Sequence, residues 1–323
     1  MATTKSHNED EMEDELLKDK WFGFSMHLYH GFWCVDSNME GIIATQTHFH
    51  AHDTDIILAS LPKAGTTWLK SLIFTIINRQ SLSHISKHTF HFKNPHELIP
   101  HLEVKVPKTC QSELDEIPSP RLFATHIPYL SLPESIKSSK CQIVYVCRNP
   151  LDNFVSGCHF WLEFDVNKGF KLDTQLIEEH LEKYCKGVLP YGPYEDHVLG
   201  YWKESIENPQ KVLFLEFEGL KKEPKTHLIR LAEFLNFPFS DEEAKKYVID
   251  EIIELCSFKS LKEMEVNKSG RINQWYQNNA YFRKGEVGDW INYLTLPMAK
   301  RINEIQEKLK KVGFSFANYE TDL

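Results

Sequence analysis

The chain has 323 residues, 41% hydrophobic and 26% charged, with a net charge of −9; this is a globular composition, large enough for one big α/β domain or two smaller ones. The acidic balance argues against nucleic acid or an anionic membrane surface as the main partner, and no apolar stretch is long enough to span a bilayer as a helix. Seven dispersed cysteines without a C-x-x-C pair fit free thiols in a reducing compartment, and the acidic N-terminus lacks a signal-peptide pattern, so a cytoplasmic location is expected.

Residues 1–19 are polar and acidic and are expected to form a disordered tail, with one domain over residues 20–323. The aromatic-rich stretch from Trp21 through Phe32 and Trp33 either packs on the core or lines an apolar pocket. His48, His50 and His52 read as surface histidines, since no third ligand class accompanies them. Ile56 to Ala59 is the apolar run of a strand buried on both faces. After the break at Ser60-Leu61-Pro62, Leu69, Leu72, Ile73, Ile76 and Ile77 recur at helical spacing from Thr66 onward. A strand, a tight turn at Gly65 and a helix opening on Thr66 and Thr67 make an anion seat, to which Lys63 adds a charge. An ordinary buried strand, glycine turn and Thr-started helix would account for the same letters. The triphosphate-binding loop places its Lys after the second Gly and a hydroxyl on magnesium. Here Lys63 precedes Gly65, so phosphate binding without a metal is expected.

Ser81 to Pro120 reads as loop-rich. Leu122–Thr125 is a second strand ending at His126. Gln142–Cys147 is a third, running into Arg148-Asn149-Pro150 and a helix with Ser156 on one face. Lys211–Phe217 is a fourth, followed by a helix around Leu228–Leu235. This alternation predicts an α/β fold, a mostly parallel sheet flanked by helices, whose ligands sit beyond the carboxyl ends of the strands. Lys63, His126, Arg148 and Phe217 each stand at such an end. Further on, Arg283-Lys284-Gly285 is a second phosphate-grade site. Two anion sites imply a ligand phosphorylated at two separated positions, with Trp68 and Phe217 offering faces for a base. His126 has the side chain to take a proton from a hydroxyl.

Three segments carry a resemblance: Leu61-Pro-Lys-Ala-Gly-Thr-Thr-Trp-Leu-Lys70, Tyr145-Val-Cys-Arg-Asn-Pro150 with Ser156, and Arg283-Lys-Gly-Glu-Val-Gly-Asp-Trp290. Together they resemble the signatures of cytosolic sulfotransferases, and Asn94-Pro-His-Glu-Leu-Ile-Pro100 with Tyr191-Gly-Pro-Tyr194 is similar to the plant branch. The resemblance implies a single domain of the P-loop-kinase-like sulfotransferase fold. It implies 3′-phosphoadenosine 5′-phosphosulfate (PAPS) as donor, its bisphosphate PAP as product, no metal, and a small-molecule hydroxyl as acceptor. On this chain Lys63, Ala64, Gly65, Thr66, Thr67 and Trp68 would hold the 5′ side, with Lys63 assisting the leaving phosphate. Arg148, Ser156, Arg283, Lys284 and Gly285 would hold the 3′-phosphate. Trp68, Phe217, Cys256 and Phe258 would frame the adenine, and His126 would be the general base. Ala64 stands where Ser is usual, Phe217 where Tyr is common, and Ala124 where animal members often carry Lys. The animal dimerisation signature is not evident, so a monomer is expected.

For the acceptor, Phe32, Trp33, Tyr129, His159, Phe160, Tyr191, Tyr194 and Trp275 are candidate walls, with the loop from Ser269 to Phe282 closing as a lid. An aromatic lining fits a flavonoid or related phenol; a brassinosteroid or other steroid and a hydroxyjasmonate are the alternatives within the same chemistry. A P-loop kinase or nucleotide hydrolase, and a non-catalytic nucleotide-binding protein, remain the readings of other classes.

Overall fold

The computed structural model describes residues 17–79, 85–163, 172–272 and 277–316. Its first element is one the sequence reading did not resolve. The aromatic stretch folds as a three-stranded antiparallel sheet, β1 (Lys18–Trp21), β2 (Phe24–Tyr29) and β3 (Phe32–Val35), starting inside the segment assigned to the tail. Its turns are Phe22-Gly23 and His30-Gly31, all with positive φ. That pair of dihedrals matches the right-handed twist of antiparallel strands. Helix α1 (Asp36–His48) follows.

The central sheet has four parallel strands, β4 (Ile56–Ser60), β5 (Leu122–Thr125), β6 (Gln142–Cys147) and β7 (Val212–Glu216), in the order β5-β4-β6-β7. Alternate residues go to opposite faces. Ile57, Ala59, Phe123, Ile143 and Tyr145 join the core under α1 and helices α3 (Pro150–Glu163), α4 (Thr174–Cys185), α5 (Tyr194–Glu207) and α7 (Leu296–Lys311). Ile56, Leu58, Ala124, Val144, Val146, Leu213 and Leu215 join a second core under α2 (Thr66–Asn78) and α6 (Pro224–Phe234). Burial on both faces explains why these strands read as continuous apolar runs. The α/β class and the parallel sheet are as expected.

The Ser81–Pro120 stretch differs from its loop assignment: it carries short helices at Ile85–Phe92, Pro95–Leu98, Leu102–Lys105 and Gln111–Asp115. Three of the four are too short for a 3.6-residue period to show, and local capping sets the one at Pro95. Asn94 Oδ1 accepts from the His96 N–H at 2.9 Å, and the Asn94 N–H donates to Glu97 Oε2 at 2.9 Å. This is a capping box with Pro in the first turn. At the far end of the sheet Arg121 is bidentate to Asp55, at 2.7 and 2.6 Å, with both side chains buried.

Candidate active site

Lys63, His126, Arg148 and Phe217 all emerge at the same edge of the parallel sheet, because β4, β5, β6 and β7 run in one direction. Lys63 has φ +66° and Gly65 φ +117°, so the loop before α2 turns twice through left-handed conformations. A side chain at Gly65 would place Cβ 2.9 Å from the Phe217 ring. The strained Lys63 backbone is an outlier of the kind stored at functional turns. Lys63 Nζ lies 4.1 Å over the Phe160 ring and 5.7 Å from that of Tyr281. Burial, then the charges of Arg148 and Arg283, lower its pKa to about 7, against a smaller opposing effect of Glu163. Ala64, between Lys63 and Gly65 in the loop, is buried.

Arg148 follows β6 directly. Its carbonyl accepts from the Tyr194 hydroxyl, its Nη2 donates to Glu286 O at 2.5 Å, and its guanidinium sits 4.6 Å over the Phe217 ring. The second loop is tied to α3: Asp152 accepts from the Gly288 N–H at 2.7 Å and the Trp290 N–H at 3.0 Å. Within that loop Arg283 and Lys284 both bond Asp289, at 2.6 Å each. Gly285, φ +66°, packs so closely under Phe258 that an added Cβ would lie 2.5 Å from its ring. Between the two loops is a cavity of about 270 Å³ walled by Lys63, Gly65, Thr66, Thr67, Trp68, His126, Arg148, Ser156, Phe217, Phe258, Arg283, Lys284 and Gly285.

His126 N–H donates to Glu103 Oε1 at 2.7 Å, and its Nδ1 lies 2.6 Å from the Ser60 carbonyl oxygen. A carbonyl only accepts, so Nδ1 carries the proton and Nε2 keeps its lone pair. The His126 carbonyl accepts from His197 Nε2 at 2.9 Å, and Tyr145 completes that chain at His197 Nδ1. Burial first, then the charges of Lys70, His197 and Lys63, lower the His126 pKa to about 3, although the bond to Ser60 opposes this. The imidazole is therefore neutral.

The structure redraws several candidates. Cys256 is a core residue 3.4 Å from Thr75 Oγ1, and its neighbours Ser257 and Phe258 line the cavity instead. Of the acceptor walls, Phe160 lies under Lys63, Tyr191 is 5.4 Å from His126, and Phe32 stacks behind Tyr191. Trp33, Tyr129 and Tyr194 are buried away from the cavity: Trp33 pairs through its backbone with Tyr191 and Gly192, Tyr129 packs edge-on against Tyr201, and Tyr194 is spent on Arg148. His159 stacks edge-on with Tyr293, and its charged surroundings are Arg283, Asp289 and Lys284. Trp275 falls outside the described residues. Tyr281 and Phe282, at the end of the expected lid, line the cavity.

Two polar cavity residues were not foreseen. Lys221 comes from the helix Phe217–Lys222 that starts at the end of β7. His96 comes from the capped turn, whose Asn-Pro-x-Glu pattern was the only available signal.

A doubly phosphorylated nucleotide fits these residues. Each loop has a glycine whose missing Cβ leaves its backbone close beneath an aromatic ring, and each has cations with a helix or turn behind it. The comparisons agree. Residues 53–313 match the sulfotransferase domain family. Cytosolic sulfotransferase 15 of Arabidopsis thaliana is 42% identical over 312 residues, 95% of this chain and 86% of the relative. Cytosolic sulfotransferase 13 of the same plant is 42% identical over 95% of this chain and 93% of its own length. Among solved structures, an Arabidopsis sulphotransferase superposes with a TM-score of 0.73 at 36% identity, covering 98% of this chain and 99% of its own. A mouse sulfotransferase complexed with PAP gives 0.66 at 29% identity, over 88% of this chain and 94% of its own. The chain therefore belongs to the sulfotransferase family, as a PAPS-dependent enzyme similar to the plant cytosolic members.

Proposed function

We propose that this enzyme sulfates a hydroxyl of a planar phenolic acceptor, a flavonoid or a related phenol, with His126 as general base. The observation that carries the reading is the His126 ring. Its Nδ1–H is held by the Ser60 carbonyl, and its basic nitrogen is left for the cavity that Lys63 and Phe160 also line. The flat faces of Phe160 and Tyr281 lining that cavity, with Tyr191 packed against the His126 ring, favour a planar aromatic acceptor over a bulky aliphatic one.

In this reading the turn from Lys63 to Trp68 holds the 5′ side of the donor. Arg148, Ser156 and Arg283 to Gly285 hold the 3′-phosphate, and Trp68, Phe217 and Phe258 frame the base. PAPS supplies an activated sulfuryl group when bound there. His126 Nε2 takes the hydroxyl proton of the acceptor, and Lys63 Nζ neutralises charge developing on the phosphate side. Lys70 and Lys63 are among the groups holding the His126 pKa down, so negative charge entering the cavity raises its basicity when it is needed. No metal is required. A monomer is part of the same reading, and so is a cytoplasmic location, which the relatives' names as cytosolic sulfotransferases support.

Sulfate transfer from radiolabelled PAPS across flavonols, steroids, hydroxyjasmonate and desulfoglucosinolates tests the proposal. Transfer is expected to flavonols, and His126→Ala lowers it by roughly 10²- to 10⁴-fold while PAP is still bound. Transfer to steroids alone would overturn the acceptor. Undiminished transfer by His126→Ala would overturn the base.

A further inference from the structure

The two threonines that open α2 are held differently. Thr66 is buried, with its hydroxyl 2.7 Å from Ser60 Oγ on β4. Thr67 lines the cavity, and its Oγ1 lies 2.9 Å from His96 Nε2. The other nitrogen of that ring, Nδ1, is 3.1 Å from Lys70 Nζ, one turn further along α2. Lys70 is fully buried, a costly place for an amine unless it has work to do. The His96 ring is fixed by Tyr281, at 4.1 Å between centroids, and by His101 at 5.7 Å. His96, with both nitrogens engaged, joins α2 to the capped turn at Pro95 through its side chain.

The hydrogen-bond direction can be assigned from the donor inventory. Burial holds the Lys70 pKa well below the ordinary lysine value, and even as a neutral amine Nζ keeps two N–H groups, so it can donate to the lone pair of His96 Nδ1. A neutral imidazole then carries its proton on Nε2 and donates it to the lone pair of Thr67 Oγ1. The threonine's own proton is left to point elsewhere, and the open side is the cavity. The reverse order would make Thr67 donate to His96 and turn its lone pairs toward an incoming anion, which repels it. Burial, followed by the charge of Lys70, keeps the His96 pKa well below the usual histidine range, in keeping with a neutral ring.

We propose that Lys70 and His96 are positioning residues that set the Thr67 hydroxyl as a hydrogen-bond donor to the phosphate group held at the turn before α2. The inference rests on the reading that this turn holds the 5′ side of the nucleotide. It adds a second layer to the anion seat, made by a segment that contributes no charge of its own to the ligand. Thr67 makes the contact; His96 and Lys70 decide which way its proton points.

A double-mutant cycle read by calorimetric binding of PAP tests it. Thr67→Val, which keeps the shape and removes the hydroxyl, and His96→Phe, which keeps the ring between Tyr281 and His101, each weaken binding by ~10- to 100-fold, the loss of a hydrogen bond to a charged group. In the Thr67→Val background His96→Phe causes no further loss beyond ~2-fold, and Thr67→Ser restores the sensitivity to His96. Lys70→Met gives the same cycle with a smaller effect, and serves if His96→Phe melts below the assay temperature. Equal losses from His96→Phe with and without the Thr67 hydroxyl would overturn the proposal, because packing alone would then explain them. Failure of the unmodified chain to bind PAP would instead overturn the nucleotide reading on which it stands.

Discussion

Lys63 and His126 sit in the same cavity with pKa values shifted the same way, and the consequences differ. His126 at about 3 is neutral across the physiological range and ready to accept a proton. Lys63 at about 7 is poised between charged and neutral. An anion at the turn favours the charged form and raises that pKa, so above pH 7 binding takes up a proton and affinity falls as pH rises. PAP affinity measured from pH 7 to 9 is expected to decline in the unmodified enzyme and to be flatter in Lys63→Met. Parallel slopes in the two proteins would remove Lys63 as the titrating group. Ala64 is one of the departures at this scale. It is buried within the loop, and a Ser there would add a hydroxyl next to Lys63 that this chain does without.

The loop from Arg283 to Trp290 illustrates how an element is prepared for a ligand. Its two cations are paired with Asp289, and its backbone is hung on Asp152 of α3. Burial alone would raise the Asp289 pKa, but the hydrogen bonds from Lys284, Arg283 and Asn292 outweigh it and bring it to about 2. A carboxyl depressed on folding stabilises the native state above its unfolded pKa, and this is lost as pH falls through the folded value. Asp289→Asn is therefore expected to cost about 1–3 kcal/mol in urea unfolding at pH 7. The difference from the unmodified protein should shrink between pH 4 and 2. A cost that stays constant over that range would mean that the charge of Asp289 is not what matters. The N-terminal antiparallel sheet is a second prepared element. β3 pairs through Trp33 with Tyr191 and Gly192, and so seats Tyr191 against His126.

At the scale of the molecule, function and stability occupy opposite ends of the parallel sheet. The carboxyl ends carry Lys63, His126, Arg148 and Phe217. The amino ends carry the buried Asp55–Arg121 pair, which also reaches the carbonyl oxygens of His50 and Leu114. Removing one partner strands a buried charge. Arg121→Met is expected to lower stability by about 3–5 kcal/mol, measured by denaturant unfolding, while the folded fraction binds PAP with unchanged affinity. A weakened affinity in the folded fraction would show that the two ends are coupled.

The sequence by itself determined the α/β class and the four parallel strands, and it pointed to the two basic glycine loops and to His126 as the proposed base, because each is written in a local pattern. Buried parallel strands are short apolar runs, an anion seat needs a glycine turn before a helix, and a strand's last residue reports which edge it reaches. Tertiary structure alone decided what lies within reach of those loops. His96 enters the cavity from a short capped turn with no periodicity of its own, and Tyr281 enters from beyond an irregular segment. It also decided which tyrosine packs against His126. Tyr194 and Tyr129 carry the same kind of side chain as Tyr191, yet only packing determined that one would stand beside His126 and the others would be consumed in the core. A side chain's type is local, whereas the partner it faces depends on every element that folds against it.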